Sequence, residues 1–81
     1  MQKIAVIGSG YVGLVTAACL SELGNKVICV DNDESKVEKL KNKIPTIYEP
    51  GLKEALNKAI DFGNLSFTSD IEGAIKKLME L

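Results

Sequence analysis

The feature that most constrains this chain is a change of hydrophobic period across six residues. Residues 3 to 8, Lys-Ile-Ala-Val-Ile-Gly, form an apolar run without alternation, the pattern of a strand covered on both faces in a parallel sheet. From about Tyr11 to Leu23 the spacing turns helical: Val12, Val15, Cys19 and Leu23 recur at threes and fours along a helix expected to be mostly buried, with Gly24 as a stop signal. Between the two periods stands Gly8-Ser9-Gly10-Tyr11-Val12-Gly13. A strand that passes straight into a helix through glycines at this spacing restricts the fold to the α/β class.

The rest of the chain repeats the alternation. Val27 to Val30 is a second unalternating β-rich run that ends at Asp31. Asp33 to about Lys43 reads as a Lys/Glu-rich amphipathic helix, with Asp33 as N-cap and Val37 and Leu40 facing inward. The segment Ile44 to Gly51 carries both prolines and is a loop, after which Leu52, Leu56, Ala59 and Ile60 outline another helix. Leu65 to Thr68 is a short third strand, and Ser69 or Asp70 caps a helix through Ile71, Ala74, Ile75 and Leu78. The expected architecture is a partial Rossmann fold: a three-stranded parallel sheet of order 3-2-1 with right-handed crossover helices. It is one mononucleotide-binding half, filling residues 1–81 as a single incomplete domain.

The glycine string alone is weak evidence, because glycines cluster in many turns, but here its surroundings agree. It follows a strand, opens a helix, and precedes an acid at the tip of the next strand, eighteen residues after Gly13 and twenty-three after Gly8, around the spacing of a dinucleotide fingerprint. Gly8 allows the tight turn, Gly10 lets the backbone approach a diphosphate, and Gly13 lets the helix pack on the strand. The first helical turn holds no Asp or Glu, so its N–H groups, with those of the loop, are free for an external anion. Asp31 can accept both ribose hydroxyls and repels a 2′-phosphate, which favours NAD over NADP. A helix-capping role is the alternative for Asp31, with Asp33 competing for it. Lys36 reads equally as a contact on the adenosine side and as a solvated helix lysine.

Composition closes off other chemistries. The 81 residues contain no His, and every basic residue is Lys. Histidine-based triads, His-containing metal sites and guanidinium clamps on phosphate are therefore excluded. Ten cations scattered against eleven anions give a net charge of -1 and no footprint for nucleic acid. Cys19 and Cys29, ten residues apart in apolar stretches, read as small core side chains. The run from Ile4 to Leu20 imitates a secretory signal, but its three glycines and Ser9 divide it into strand and helix, and it is not an uninterrupted membrane span. A cytoplasmic location with no membrane partner is expected.

The assembled residues resemble the N-terminus of the nucleotide-sugar 6-dehydrogenases, the UDP-glucose/GDP-mannose dehydrogenase family. The similarity runs from Lys3 to about Ile75. It rests on the segment from Ile4 to Leu14, on Cys19-Leu20-Ser21-Glu22-Leu23-Gly24, on Val30-Asp31-Asn32-Asp33, and on Pro45-Thr46-Ile47-Tyr48-Glu49-Pro50-Gly51-Leu52. That last loop and Phe67-Thr68-Ser69-Asp70 discriminate this family from other Rossmann dehydrogenases. The resemblance implies an NAD-dependent, two-step oxidation of the C6 alcohol of UDP-glucose to UDP-glucuronate, through a cysteine thiohemiacetal and thioester. It also implies that positions matching Tyr11, Val12, Asp31 and Lys36 lie against the cofactor. The family's nucleophile belongs to a much later part of the polypeptide, and neither Cys19 nor Cys29 matches it.

Relatives continue after Ile75 into a fourth strand beside the first, whereas Lys76-Lys77-Leu78-Met79-Glu80-Leu81 ends this chain. The expectation is a fragment without catalytic residues, whose first strand is an open edge available for pairing with another copy. The nucleotide sugar would then be a partner only of a full-length parent. GDP-mannose or UDP-N-acetylhexosamine as substrate, a non-catalytic nucleotide-binding module and a nonfunctional remnant are the alternatives.

Overall fold

A computed structural model describes residues 2–44 and 46–80. Its elements run β1 (Lys3–Ile7), α1 (Tyr11–Glu22), β2 (Lys26–Val30), α2 (Glu34–Lys41), α3 (Leu52–Asp61), β3 (Leu65–Thr68) and α4 (Ile71–Met79). The order matches the sequence reading element for element. Pro45 of the expected loop and the terminal Leu81 lie outside the described residues.

All strand pairings are parallel, in the order β1-β2-β3, which is the expected 3-2-1 arrangement viewed from the other edge. Ile7 is level with Val30, and Val30 with Thr68. The three strands therefore end on one rim. The ladder extends past the strands there: the Gly8 amide donates to the Val30 carbonyl at 2.6 Å and the Asp31 amide to the Thr68 carbonyl at 3.1 Å.

One face of the sheet carries the core. Val27, Cys29, Leu65 and Phe67 are buried against Leu14, Ala17 and Ala18 of α1, Val37 and Leu40 of α2, and Leu52, Leu56 and Ala59 of α3. α1 is less buried than expected, and of the four residues at threes and fours only Val15 packs against the core. Leu14, Ala17, Ala18 and Ser21 point inward, while Val12 is 74% and Leu23 78% exposed and Cys19 lies on the surface. The reason is packing: α1 is apolar nearly all round, so hydrophobicity does not choose a face, and the small residues let its backbone sit close to α3 and the sheet.

The other face is thinly covered. Only Ala74 of α4 is buried, and Ile71 and Ile75 each remain 48% exposed. Lys3 fastens the end of this helix, its Nζ donating to the Glu80 carbonyl at 2.7 Å. Full burial of β1 on both faces is thus corrected. It is a half-buried edge strand whose Ile7 is 65% exposed, because β2 flanks it on one side only.

The loop before α3 explains its own sequence. Gly51 is the N-cap of α3 with φ of 83°, a left-handed conformation that favours glycine. The following Leu52 drops into the core. Gly51 therefore aims one leucine into the core, while Tyr48 stands almost fully in solvent.

Candidate dinucleotide site at the strand ends

Beyond the level strand ends lies a cleft of about 360 Å³ bounded by Ile7 and Gly8, by Val30, Asp31 and Asn32, and by Ser69 and Ile71. Open α/β sheets bind ligands at this end of the strands.

The glycine turn is built as its spacing requires at Gly8 and Gly13. Gly8 adopts φ of 98°, which any residue with a Cβ resists. A Cβ at Gly13 would collide with the Gly8 carbonyl oxygen and sit 3.1 Å from its carbon, so helix and turn could not close together. Gly10, the extended N-cap of α1, has open space in front of its Cβ position, which leaves its backbone approachable.

The entry to α1 differs from those of α2 and α4. Asp33 caps α2 by accepting from the amides of Ser35 and Lys36, and Asp70 caps α4 by accepting from Gly73. At α1 no side chain caps the helix and its first turn holds no acid. Its leading N–H groups have no acceptor within the helix. The donor set suits an anion. Tyr11 and Val12, at the start of the same helix, are 49% and 74% exposed and flank that entry.

Asp31 stands at the tip of β2 with a side chain 11% exposed. Its Oδ2 accepts from the Ser9 amide at 2.9 Å and from the Ser9 hydroxyl at 2.5 Å, while Oδ1 accepts from the Asp33 amide at 2.9 Å. The Ser9 hydroxyl, with the Asp33 and Ser9 amides behind it, holds the Asp31 carboxyl down to about 2. Lys36 Nζ lies 3.8 Å from Oδ2, a loose, half-exposed pair of small energetic weight. The capping role left open for Asp31 belongs to Asp33.

Both cysteines lack the surroundings of a nucleophile. Cys29 is 1% exposed and its thiol points at the Gly8 carbonyl, 3.6 Å away. Burial, reinforced by the Asp31 charge, pushes it up to about 11. Cys19 is a surface residue of α1, which corrects its expected place in the core. Its place in an apolar stretch suggests burial, but Ala17 and Ala18 occupy the inward face instead.

The sequence reading brought Gly8, Ser9, Gly10, Tyr11, Val12, Gly13, Asp31 and Lys36 to one site, and the structure gathers them at one rim. It missed the bond between Ser9 and Asp31, whose only sequence signal is a hydroxyl residue inside the glycine motif.

Residues 2–79 match the UDP-glucose/GDP-mannose dehydrogenase family, NAD binding domain. The chain belongs to this family. UDP-glucose 6-dehydrogenase TuaD of Bacillus subtilis is 55% identical over 76 residues, covering 94% of this chain and 16% of the relative. UDP-glucose 6-dehydrogenase of Pseudomonas aeruginosa is 48% identical over 70 residues, covering 86% of this chain and 16% of the relative. Among solved structures, a UDP-glucose dehydrogenase from the hyperthermophilic archaeon Pyrobaculum islandicum superposes with a TM-score of 0.89 at 44% identity, covering 95% of this chain and 18% of that one. A GDP-mannose dehydrogenase from Pseudomonas aeruginosa, solved as a ternary complex, gives 0.84 at 39% identity, covering 93% and 17%. The chain thus spans about a sixth of the length of the curated relatives it matches. It is the family's NAD-binding domain, a Rossmann-type α/β unit. Among the described residues no helix is long and apolar enough to cross a membrane.

Proposed function

We propose that this chain supplies the NAD-binding part of a UDP-glucose 6-dehydrogenase. The observation that carries the reading is the 55% identity to an enzyme of that name. NAD, when bound, accepts the hydride removed from the sugar alcohol, so that the whole protein converts UDP-glucose to UDP-glucuronate with two NAD. In this reading the amides of Gly10, Tyr11, Val12 and Gly13 hold the diphosphate, the carboxylate of Asp31 receives the adenosine ribose, and Lys36 borders it. With the helix entry uncapped and no arginine in the chain, backbone N–H groups are the diphosphate's principal donors.

The chain alone is inactive in this reading. One thiol is buried and held protonated, the other sits on a helix surface, and no histidine is present to act as base. The unpaired flank of β1 is the surface through which a second copy would associate, which concentration-dependent sedimentation would register.

Calorimetric titration of the purified chain tests the central claim. NAD is expected to bind and NADP to bind at least about tenfold more weakly, since a 2′-phosphate would face the Asp31 carboxylate. Preference for NADP would sink the assignment of Asp31. UDP-glucose with NAD is expected to give no NADH absorbance from this chain.

A further inference from the structure

The functional reading assigns Asp31 to the ribose but leaves open what orients it. A carboxylate offers roughly four acceptor sites, two on each oxygen. In this structure Oδ2 is taken twice by one residue, through the amide of Ser9 at 2.9 Å and its hydroxyl at 2.5 Å, and Lys36 Nζ approaches the same oxygen at 3.8 Å. Among the described residues Oδ1 accepts only from the Asp33 amide, at 2.9 Å. One acceptor site on Oδ1 is left.

Ser9 itself is 1% exposed although it is polar and lies in a glycine turn. A buried hydroxyl is costly unless it is hydrogen-bonded, and Asp31 is its partner. The bond joins two segments twenty-two residues apart, the turn after β1 and the tip of β2, which lie side by side on the border of the cleft.

We propose that Ser9 is the positioning residue for Asp31: it occupies Oδ2 through both of its donors and thereby presents Oδ1 alone to the ribose. The proposal rests on the NAD reading above. It departs from the expectation that the carboxylate accepts both ribose hydroxyls evenly, because one oxygen already has a full set of donors. The second ribose hydroxyl is then left to other groups in the cleft or to water. The charged and titratable groups around the carboxylate are Lys36 and Asp33 at the start of α2 and Cys29 on β2. Across the cleft, Ser69 and Ile71 carry no charge, and Asp70 between them is engaged in capping α4.

The test uses the full chain and two readouts. The first is the titration of the Asp31 side-chain carboxyl carbon by NMR without ligand, in wild type and Ser9→Ala, with circular dichroism to confirm that both are folded. The second is NAD affinity by calorimetry in wild type, Ser9→Ala, Asp31→Asn and the double variant. Ser9→Ala is expected to raise the Asp31 titration midpoint toward that of an ordinary carboxylate and to weaken NAD about 3- to 10-fold, the worth of one hydrogen bond. In the Asp31→Asn background the same substitution is expected to cost less than about 2-fold, since its effect passes through the carboxylate. An unmoved titration overturns the assignment. So does a moved titration with unchanged NAD affinity, or a loss that is equal in both backgrounds. Absence of NAD binding in wild type overturns the functional reading and the ribose part of this inference with it, whereas the ligand-free titration still decides whether Ser9 governs Asp31.

Discussion

Two glycine turns open helices in this chain, and they use glycine for opposite ends. The turn after β1 packs Gly13 so closely on the Gly8 carbonyl that a side chain cannot enter, and it leaves the amides at the start of α1 uncapped. The turn before α3 has open space around Gly51 and needs glycine for its left-handed φ; its product is a leucine planted in the core. The first turn leaves donors open, which in the proposed reading serve NAD, and the second arranges packing. Glu49-Pro50-Gly51-Leu52, the segment on which the family resemblance most rests, is here a structural device.

Substitutions at each turn should separate the two roles. The largest effect is expected from Gly13→Ala, where the new Cβ meets backbone rather than a yielding side chain. A loss of about 3 kcal/mol or more, together with loss of NAD binding, should appear in urea unfolding and calorimetry. Wild-type stability in this variant would mean that α1 does not sit on the turn as described.

Leu52→Ala comes next. It removes a buried side chain at the second turn and should cost about 2–4 kcal/mol in the same unfolding experiment. The folded fraction is expected to keep its NAD affinity within about 2-fold. A larger loss of affinity would show that the second turn reaches the cleft, and would erase the contrast.

The smallest effect separates the turns by pH. The Asp31 carboxyl is lowered from 3.8 to about 2 in the folded chain, so the unfolded state binds the proton first as pH falls. The stability it contributes is complete above about pH 4 and is lost as pH drops toward 2. Ser9→Ala should shrink this acid-dependent part, and Leu52→Ala should leave it unchanged. Urea midpoints measured at a series of pH values check both.

Element order and the rim of the site were legible because they are local. An unalternating run, a period change and a glycine spacing are each contained within a few consecutive residues, and the structure places Gly8, Gly13 and Asp31 where those signals put them. The face of α1 was not legible. With apolar residues on nearly every side, hydrophobicity carried no contrast, and the choice fell to size: Ala17 and Ala18 fit against the sheet where Val12 and Leu23 do not. The open edge of β1 was expected, but the thin cover over its second face was not, since Ile4 to Ile7 read as covered on both faces and do not show how little of α4 packs there. The Ser9–Asp31 bond spans the whole of α1 and β2, and no pattern of consecutive residues encodes a contact of that range.

The placement of the two sulfur atoms has a practical consequence. Cys19 faces solvent, while Cys29 lies beneath the Gly8 carbonyl with its thiol raised to about 11. A thiol-specific reagent therefore meets two sites of very different reactivity within one small chain. The fast one reports that reagent is present, and the slow one reacts only when the core around it opens. The protein carries its own clock for the opening of its interior, readable by mass without any dye or engineered tag.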